Sequence, residues 1–239
     1  MKARNNKLLS GLPLLLIILL STLGAAYAAW TDAIRVELRA EMGSLTLAFD
    51  YVEPPSYHEY YLDPETGQLV EGEWEDKDVA NGTAYYADLI TDEHTGKKGY
   101  KRLIIEISNA YPCYYAHTTF MLRNIGTVPL YIARFIITGE KRDATGKKIY
   151  DLLWYDPDGD FIGDLYEDVN GNGMVDAGDI KVINLVITND LPYQLDPCHR
   201  NKLEMDLHFK QEAEECHTYI ITVEVIGVQW NKLDEYLGG

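Results

Sequence analysis

The stretch "LEMDLHFK", residues 203–210, alternates apolar and polar side chains without a break. Successive side chains of a β-strand point to opposite faces, so this pattern predicts a strand with one buried and one exposed face. Similar alternation recurs between turn-rich stretches such as "NAYPC" and "NIGTVP". The other predicted strands are Leu45–Tyr51, Thr83–Ile90, Arg102–Ser108, Tyr115–Asn124, Val128–Thr138, Ile180–Thr188 and Thr218–Val228.

This density of strands, with turn-rich connections and no long amphipathic helix, predicts an all-β protein. A β-sandwich fits, and the jelly-roll is its most economical form. Two segments exceed a minimal sandwich: residues 52–82, rich in Tyr, Pro, Glu and Gly, and residues 139–179, whose later part is dense in acidic residues. We therefore expect one domain over residues 44–239 that carries two loop insertions.

The N-terminal residues have the pattern of a secretory signal peptide. Lys2, Arg4 and Lys7 form a basic region, an apolar run over residues 8–23 follows, and "AYA" at 26–28 places small residues where cleavage would occur. The pattern predicts a signal peptide over residues 1–28 and a protein that is secreted or displayed at the cell surface. A retained membrane anchor is the alternative, which the short apolar run disfavours.

The composition of the chain limits the classes of partner that it can bind. The formal net charge is −17, so the chain repels nucleic acid and anionic membrane surfaces and attracts cations. Hydrophobic residues make up 46% of the chain, enough for a substantial core. We expect neither a nucleic-acid partner nor a membrane partner once the signal peptide is removed.

The segment "IRVELRAEM", residues 34–42, has the most regular alternation in the chain. Such a strand, contained within residues 29–43 at the mature N-terminus, either completes the sheet of its own domain or inserts into a neighbouring copy as a donor strand. Its apolar face consists of Ile34, Val36, Leu38, Ala40 and Met42.

The stretch "DVNGNGMVDAGD", residues 168–179, has the oxygen spacing of an EF-hand-like calcium loop. Calcium takes six to eight oxygen ligands, and a glycine at the sixth place, here Gly173, permits the tight turn around the ion. The residues downstream resemble a strand, so we expect a loop without paired helices; a metal-free acidic loop is the alternative. The predicted Ca²⁺ ligands are Asp168, Asn170, Asn172, the Met174 carbonyl, Asp176 and Asp179.

A second acidic stretch, "DPDGDFIGDLYE" at residues 156–167, repeats the oxygen places. Its sixth residue is Phe161, for which a positive φ is costly. The stretch could bind a second ion or complete one larger site, and metal binding there should order the segment and stabilise the fold. The candidate ligands are Asp156, Asp158, Asp160, Asp164 and Glu167.

Three cysteines allow at most one internal disulfide. We predict that residues 202–209 and 217–225 form a hairpin, which would place Cys198 and Cys216 at its opposite ends, too far apart for a bridge. Cys113–Cys198 is therefore the expected pair. Asn81 begins an Asn-Gly-Thr sequon, so export would make it a candidate glycosylation site.

The sequence contains no assembled catalytic motif. His58-Glu59 begins like a zinc-protease helix, but "HEYYL" lacks the second histidine. We find no G-x-S-x-G, no phosphate-binding loop and no recognisable Cys-His pair. We expect a protein that is not an enzyme.

Three stretches together resemble the TasA/camelysin-like exported proteins: "NAYPCYYAHTTFMLRNIGTVPLYI" (109–132), "LPYQLDPCHRNKLEMDLHF" (191–209) and "TYIITVEVIGVQWN" (218–231). The nearest members are archaeal surface-fibre subunits, the bundling-pilus and cannula proteins. The resemblance implies a jelly-roll whose N-terminal strand, here within residues 29–42, inserts into the next subunit, and calcium-promoted assembly. Cys113 and Cys198 replace two turn glycines of the family pattern, which also suggests that they bridge.

Three functions follow as expectations. The first is a secreted subunit that polymerises with copies of itself into an extracellular filament or tubule by donor-strand complementation, with calcium stabilising the subunit or its contacts. The second is a monomeric calcium-dependent module that binds cell-surface glycans. The third is a secreted camelysin-type metalloprotease. The signal peptide, the terminal strand and the calcium loop favour the first.

Overall fold

The computed structural model describes residues 15–22, 43–63, 65–72, 80–188 and 194–229. The chain divides into two units, Met1–Met42 and Gly43–Gly239. In the first unit, residues 15–22 form a helix inside the predicted apolar run. Within the described ranges, no helix has the length and apolar character needed to span a bilayer.

In the described residues the second unit contains thirteen β-strands. The first seven are β1 (Leu47–Asp50), β2 (Ser56–Leu62), β3 (Leu69–Glu71), β4 (Asn81–Thr91), β5 (Lys98–Ser108), β6 (Tyr115–Asn124) and β7 (Leu130–Arg142). The remaining six are β8 (Lys148–Tyr155), β9 (Ile162–Glu167), β10 (Ile180–Thr188), β11 (Gln194–Leu195), β12 (Arg200–Phe209) and β13 (Thr218–Gln229). The prediction of an all-β fold is confirmed.

Nine strands pair in a closed ring, in the order β1-β5-β13-β7-β8-β9-β10-β12-β6, and β6 pairs again with β1. Every pairing is antiparallel, and β1 closes the ring through Leu47 opposite Asn124 and Phe49 opposite Tyr100. The four other strands lie outside the ring: β2 and β3 extend from β6, β4 pairs with β5, and β11 pairs with β7. The expected jelly-roll sandwich of two separate sheets is therefore replaced by a barrel.

Alternation along the strands builds the core. In β6 every second residue is buried, and in β12 Leu203, Met205, Leu207 and Phe209 are each at most 1% exposed. Opposite them lie the inward faces of β5 and β13, which contribute Ile105 and Ile221. The stretch that predicted the fold thus supplies one wall of the core, and its polar residues face outward.

The strands that the alternation predicts are present, with β6 and β10 at the predicted bounds. The expectation that residues 139–179 form a loop insertion is wrong, because this segment supplies β8 and β9 to the ring. β8 lacks a period of two, since it buries only Leu152. β9 buries every second residue, but these are Gly163, Leu165 and Glu167, which do not form an apolar face that the sequence could reveal. The segment 52–82 contains β2 and β3, which lie outside the ring as the predicted surface excursion would.

Candidate metal centre

The predicted calcium loop connects two neighbouring strands of the ring. β9 ends at Glu167 and β10 begins at Ile180, and these two residues are register partners at the base of the loop. The Asp168 amide donates a hydrogen bond to the Asp151 carbonyl of β8, at 2.9 Å. Three strands of the ring therefore fix the start of the loop.

The carboxylate of Asp168, at the first place of the loop, gathers backbone amides. Its Oδ1 accepts hydrogen bonds from Gly171 and Asn172 at 2.7 and 3.1 Å, and its Oδ2 accepts one from Gly173 at 2.8 Å. Gly173 has a φ of 74°, in the left-handed region that favours glycine. The turn required at the sixth place of a calcium loop is thus formed.

The remaining predicted side chains close the same loop. Oδ2 of Asp176 accepts hydrogen bonds from the amide groups of Asn170 and Asn172, both at 2.8 Å. Asp179 accepts from the Val169 amide at 3.1 Å and from the Asp176 amide at 2.9 Å. The structure therefore brings all five predicted side chains into one hydrogen-bonded network; the sixth residue, Met174, is exposed, and its amide donates to Asn172 Oδ1 at 2.7 Å.

The loop's charge state suits a cation. The Gly178 amide, followed by the side-chain amides of Asn170 and Asn172, lowers the pKa of Asp176 below its usual value, so this carboxylate is ionised at neutral pH. In the described residues no group of three or more His, Cys, Asp or Glu side chains is already gathered around a metal position. The donor set here is mixed, since amide and carbonyl oxygens complete three carboxylates, and such a set fits the preference of Ca²⁺ for oxygen.

The second acidic stretch does not form an equivalent loop. Asp156 and Asp160 accept hydrogen bonds from backbone amides in the β8–β9 turn, where Phe161 adopts a φ of 64° despite its side chain. Asp164 instead pairs with Lys181 at 2.6 Å. Asp158 is exposed in the same turn. The five predicted ligands are therefore not brought together, which contradicts an independent second loop.

Glu167, the last predicted ligand of that stretch, faces the interior. Its Oε1 accepts a hydrogen bond from Lys141 Nζ at 2.8 Å, and Lys141 also donates to Glu214 at 2.7 Å. Lys141 is 0% exposed and Glu167 is 2% exposed. This buried ion pair occupies the Glu167 carboxylate, and sequence reasoning missed it because a lysine in "GEKR" carries no local sign of burial.

The apolar side of the loop lies against β8. Met174 and Val175 line a cavity of about 420 Å³ together with Leu153, Trp154 and Tyr155. The Met174 side chain is 67% exposed. An ion that orders the loop would therefore also fix the position of an exposed apolar surface beside it.

The predicted disulfide is not formed, because Cys113, Cys198 and Cys216 are all free and exposed. The Cys113 amide bonds to the Phe209 carbonyl before β6 begins, and the Cys198 amide bonds to the Asn124 carbonyl at the end of β6. A strand of this length separates its ends by about 30 Å, far beyond the reach of a disulfide. The predicted hairpin of residues 202–209 and 217–225 is also wrong, because β12 pairs with β6 and β10, and β13 pairs with β5 and β7.

The two turns that carry Cys113 and Cys198 have an unusual backbone conformation. Cys113 and Cys198 have φ values of 65° and 70°, in the left-handed region that favours glycine. Asn81 begins β4 and is exposed, as a glycosylated residue must be. The residues predicted to form the donor strand lie outside the described ranges: Ile34, Val36, Leu38, Ala40 and Met42.

No family model, no curated protein and no solved structure matches the chain.

Proposed function

We propose that this protein is a calcium-binding structural subunit that assembles with copies of itself outside the cell. The observation that carries the calcium part is the convergence of Asp168, Asn170, Asn172, Asp176 and Asp179 around the Gly173 turn. These five side chains follow the spacing of a calcium loop and come from one hairpin of the ring. They form one hydrogen-bonded network. The resemblance to TasA/camelysin-like exported proteins supports the assembly part.

Calcium would act on the barrel through the β9–β10 hairpin. Three carboxylates on one short loop repel each other, and a divalent cation removes that repulsion. Because Asp168 is also bonded to β8, an ordered loop stabilises three consecutive strands of the ring. The ion would therefore raise the free energy of unfolding by preferential binding to the folded state.

Assembly requires a strand acceptor, and β4 offers one. β4 is eleven residues long and pairs with β5 along one edge; its other edge has no strand partner among the described residues. An unpaired strand edge is a template for an additional strand. We propose that residues 34–42 of one copy pair with this edge of β4 in the next copy.

Calorimetric calcium titration of the purified protein tests the metal site. We expect saturable calcium binding and a calcium-dependent rise in Tm. The double substitution Asp168→Asn with Asp179→Asn should abolish both. Asp156→Asn is the matched control, since it removes a carboxylate from the neighbouring acidic turn and should leave both measurements unchanged. Equal binding by the double variant and the wild type would refute the assignment of the loop.

A further inference from the structure

A pocket lies on the outer face of the barrel, and no residue of the predicted calcium loop lines it. Its volume is about 410 Å³, at the small end of the range for small-molecule sites. Strands β2, β6, β12 and β10 supply its floor and Leu69 of β3 lies at its rim. The residues used below are Tyr60, Tyr115, His117, Asn184, Asp206 and His208.

Strand register places these side chains in two adjacent rows. Tyr60 is opposite Tyr115, Tyr115 is opposite His208, and His208 is opposite Asn184, so one row crosses four strands. In the next row His117 is opposite Asp206. Because these positions alternate with buried core residues on hydrogen-bonded strands, the sheet presents the pocket as a rigid surface.

Aromatic rings form the apolar part of the pocket. The Tyr115 and His208 rings stack with centroids 4.0 Å apart and an interplanar angle of 8°. The Tyr60 ring meets His117 edge to face at 6.1 Å. Burial, followed by the nearby Lys210, lowers the pKa of His208, so this ring is neutral at pH 7.

The polar groups of the pocket are mainly hydrogen-bond acceptors. His117 Nδ1 donates to Asp206 Oδ1 at 2.7 Å, which leaves Asp206 Oδ2 as an acceptor. The Asn184 amide nitrogen donates to the Gly163 carbonyl at 3.0 Å and to Asp164 at 2.9 Å, which leaves the Asn184 side-chain oxygen as an acceptor. A ligand for this pocket must therefore be rich in hydrogen-bond donors.

We propose that this pocket binds a neutral saccharide. Sugar hydroxyls donate to Asp206 and Asn184, while the apolar face of the pyranose packs on Tyr60 and Tyr115. Asp206, in a chain of net charge −17, disfavours uronic acids and other anionic sugars. The site is independent of the proposed calcium loop and of assembly.

Saturation-transfer NMR on the wild-type protein tests the proposal, with glucose, galactose, mannose and N-acetylglucosamine as probes. Glucuronic and galacturonic acid are the anionic counterparts, and putrescine tests the competing possibility of an organic amine. We expect signal transfer to at least one neutral sugar and none to the uronic acids. No transfer to any neutral sugar, or displacement of the sugar by putrescine at equal concentration, would overturn the proposal.

Two pocket variants locate the binding. Asp206→Asn removes the charged acceptor and keeps the shape, and Tyr60→Ala removes one ring; each should weaken sugar affinity at least tenfold. Tyr85→Ala is the control, because Tyr85 is an exposed tyrosine of β4 that does not line this pocket. Circular dichroism establishes that all three variants are folded. Affinity unchanged in both pocket variants, or reduced equally in the control, would place the sugar elsewhere and overturn the assignment.

Discussion

Lys141 is a residue whose burial must be compensated within the barrel. Its ammonium group donates to Glu167 and Glu214 and lies 5.7 and 5.8 Å from the ring centroids of Tyr150 and Tyr219. Burial by itself would lower the pKa of Lys141, but the two carboxylates raise it above its usual value. Burial raises the pKa of Glu167. The pair joins β7 to β9 immediately before the acidic loop.

We predict that Lys141→Met destabilises the protein by about 3–5 kcal/mol, because it leaves the Glu167 carboxylate buried without its partner. Urea unfolding measures the loss. The double variant Lys141→Met with Glu167→Leu should recover most of it, since replacing both members of a buried pair with apolar groups costs little. A single variant as stable as the wild type would show that the pair contributes nothing.

Asp92 is a buried carboxylate at the start of the turn between β4 and β5. Burial would raise its pKa, but hydrogen bonds from the Thr46 hydroxyl at 2.6 Å and the Thr95 amide at 2.8 Å outweigh burial and lower it well below the usual value. A carboxyl group with a lowered pKa in the folded state stabilises the protein above its unfolded pKa, about 3.9. That contribution is lost as the pH falls through the folded pKa.

We therefore predict that wild-type stability decreases between about pH 4 and pH 2 more steeply than that of Asp92→Asn. Chemical unfolding at a series of pH values measures both slopes. Asp158→Asn is the control, since Asp158 is an exposed carboxylate of the β8–β9 turn, and its slope should match that of the wild type. Identical slopes for Asp92→Asn and the wild type would contradict the assigned role of Asp92.

Among the secondary-structure elements, local sequence patterns predicted which residues form strands, but not which strands pair with each other. The β6 and β10 segments alternate cleanly, and their predicted bounds match the structure. The hairpin expected from residues 202–225 was wrong because β12 and β13 are separated around the ring, and ring order depends on long-range pairing that no local pattern contains. The oxygen spacing of the acidic loop was informative because a calcium loop is contiguous in sequence.

The same loop gives a prediction for the β9–β10 hairpin. We expect calcium to slow hydrogen exchange at the amides of Gly171, Asn172 and Gly173, which bond to Asp168. Mass-spectrometric exchange with calcium and with chelator measures the difference. The β7–β8 turn is an internal control, because Asp143 closes it through hydrogen bonds to Thr145 and Lys147. Equal protection of the loop with and without calcium would contradict a metal role for it.

At the scale of the whole molecule, barrel closure and assembly are linked through strand edges. Each of the nine ring strands pairs with two ring neighbours and β4 covers a further edge of β5, so the long outer edge of β4 is the most extended one left among the described strands. The sequence supplies a nine-residue alternating segment, 34–42, to pair with such an edge. We infer that one copy covers the exposed edge of the next, with calcium holding the barrel in its competent form.

Electron microscopy of the protein beginning at residue 29 tests calcium-dependent assembly through residues 34–42, at one fixed concentration with millimolar calcium and with chelator. A variant lacking residues 29–42 and the Asp168→Asn, Asp179→Asn variant are imaged beside it. We expect filaments or tubes only for the wild type with calcium, and soluble folded subunits in every other sample. Unassembled wild-type protein in both conditions, or polymers formed by the variant lacking residues 29–42, would contradict it.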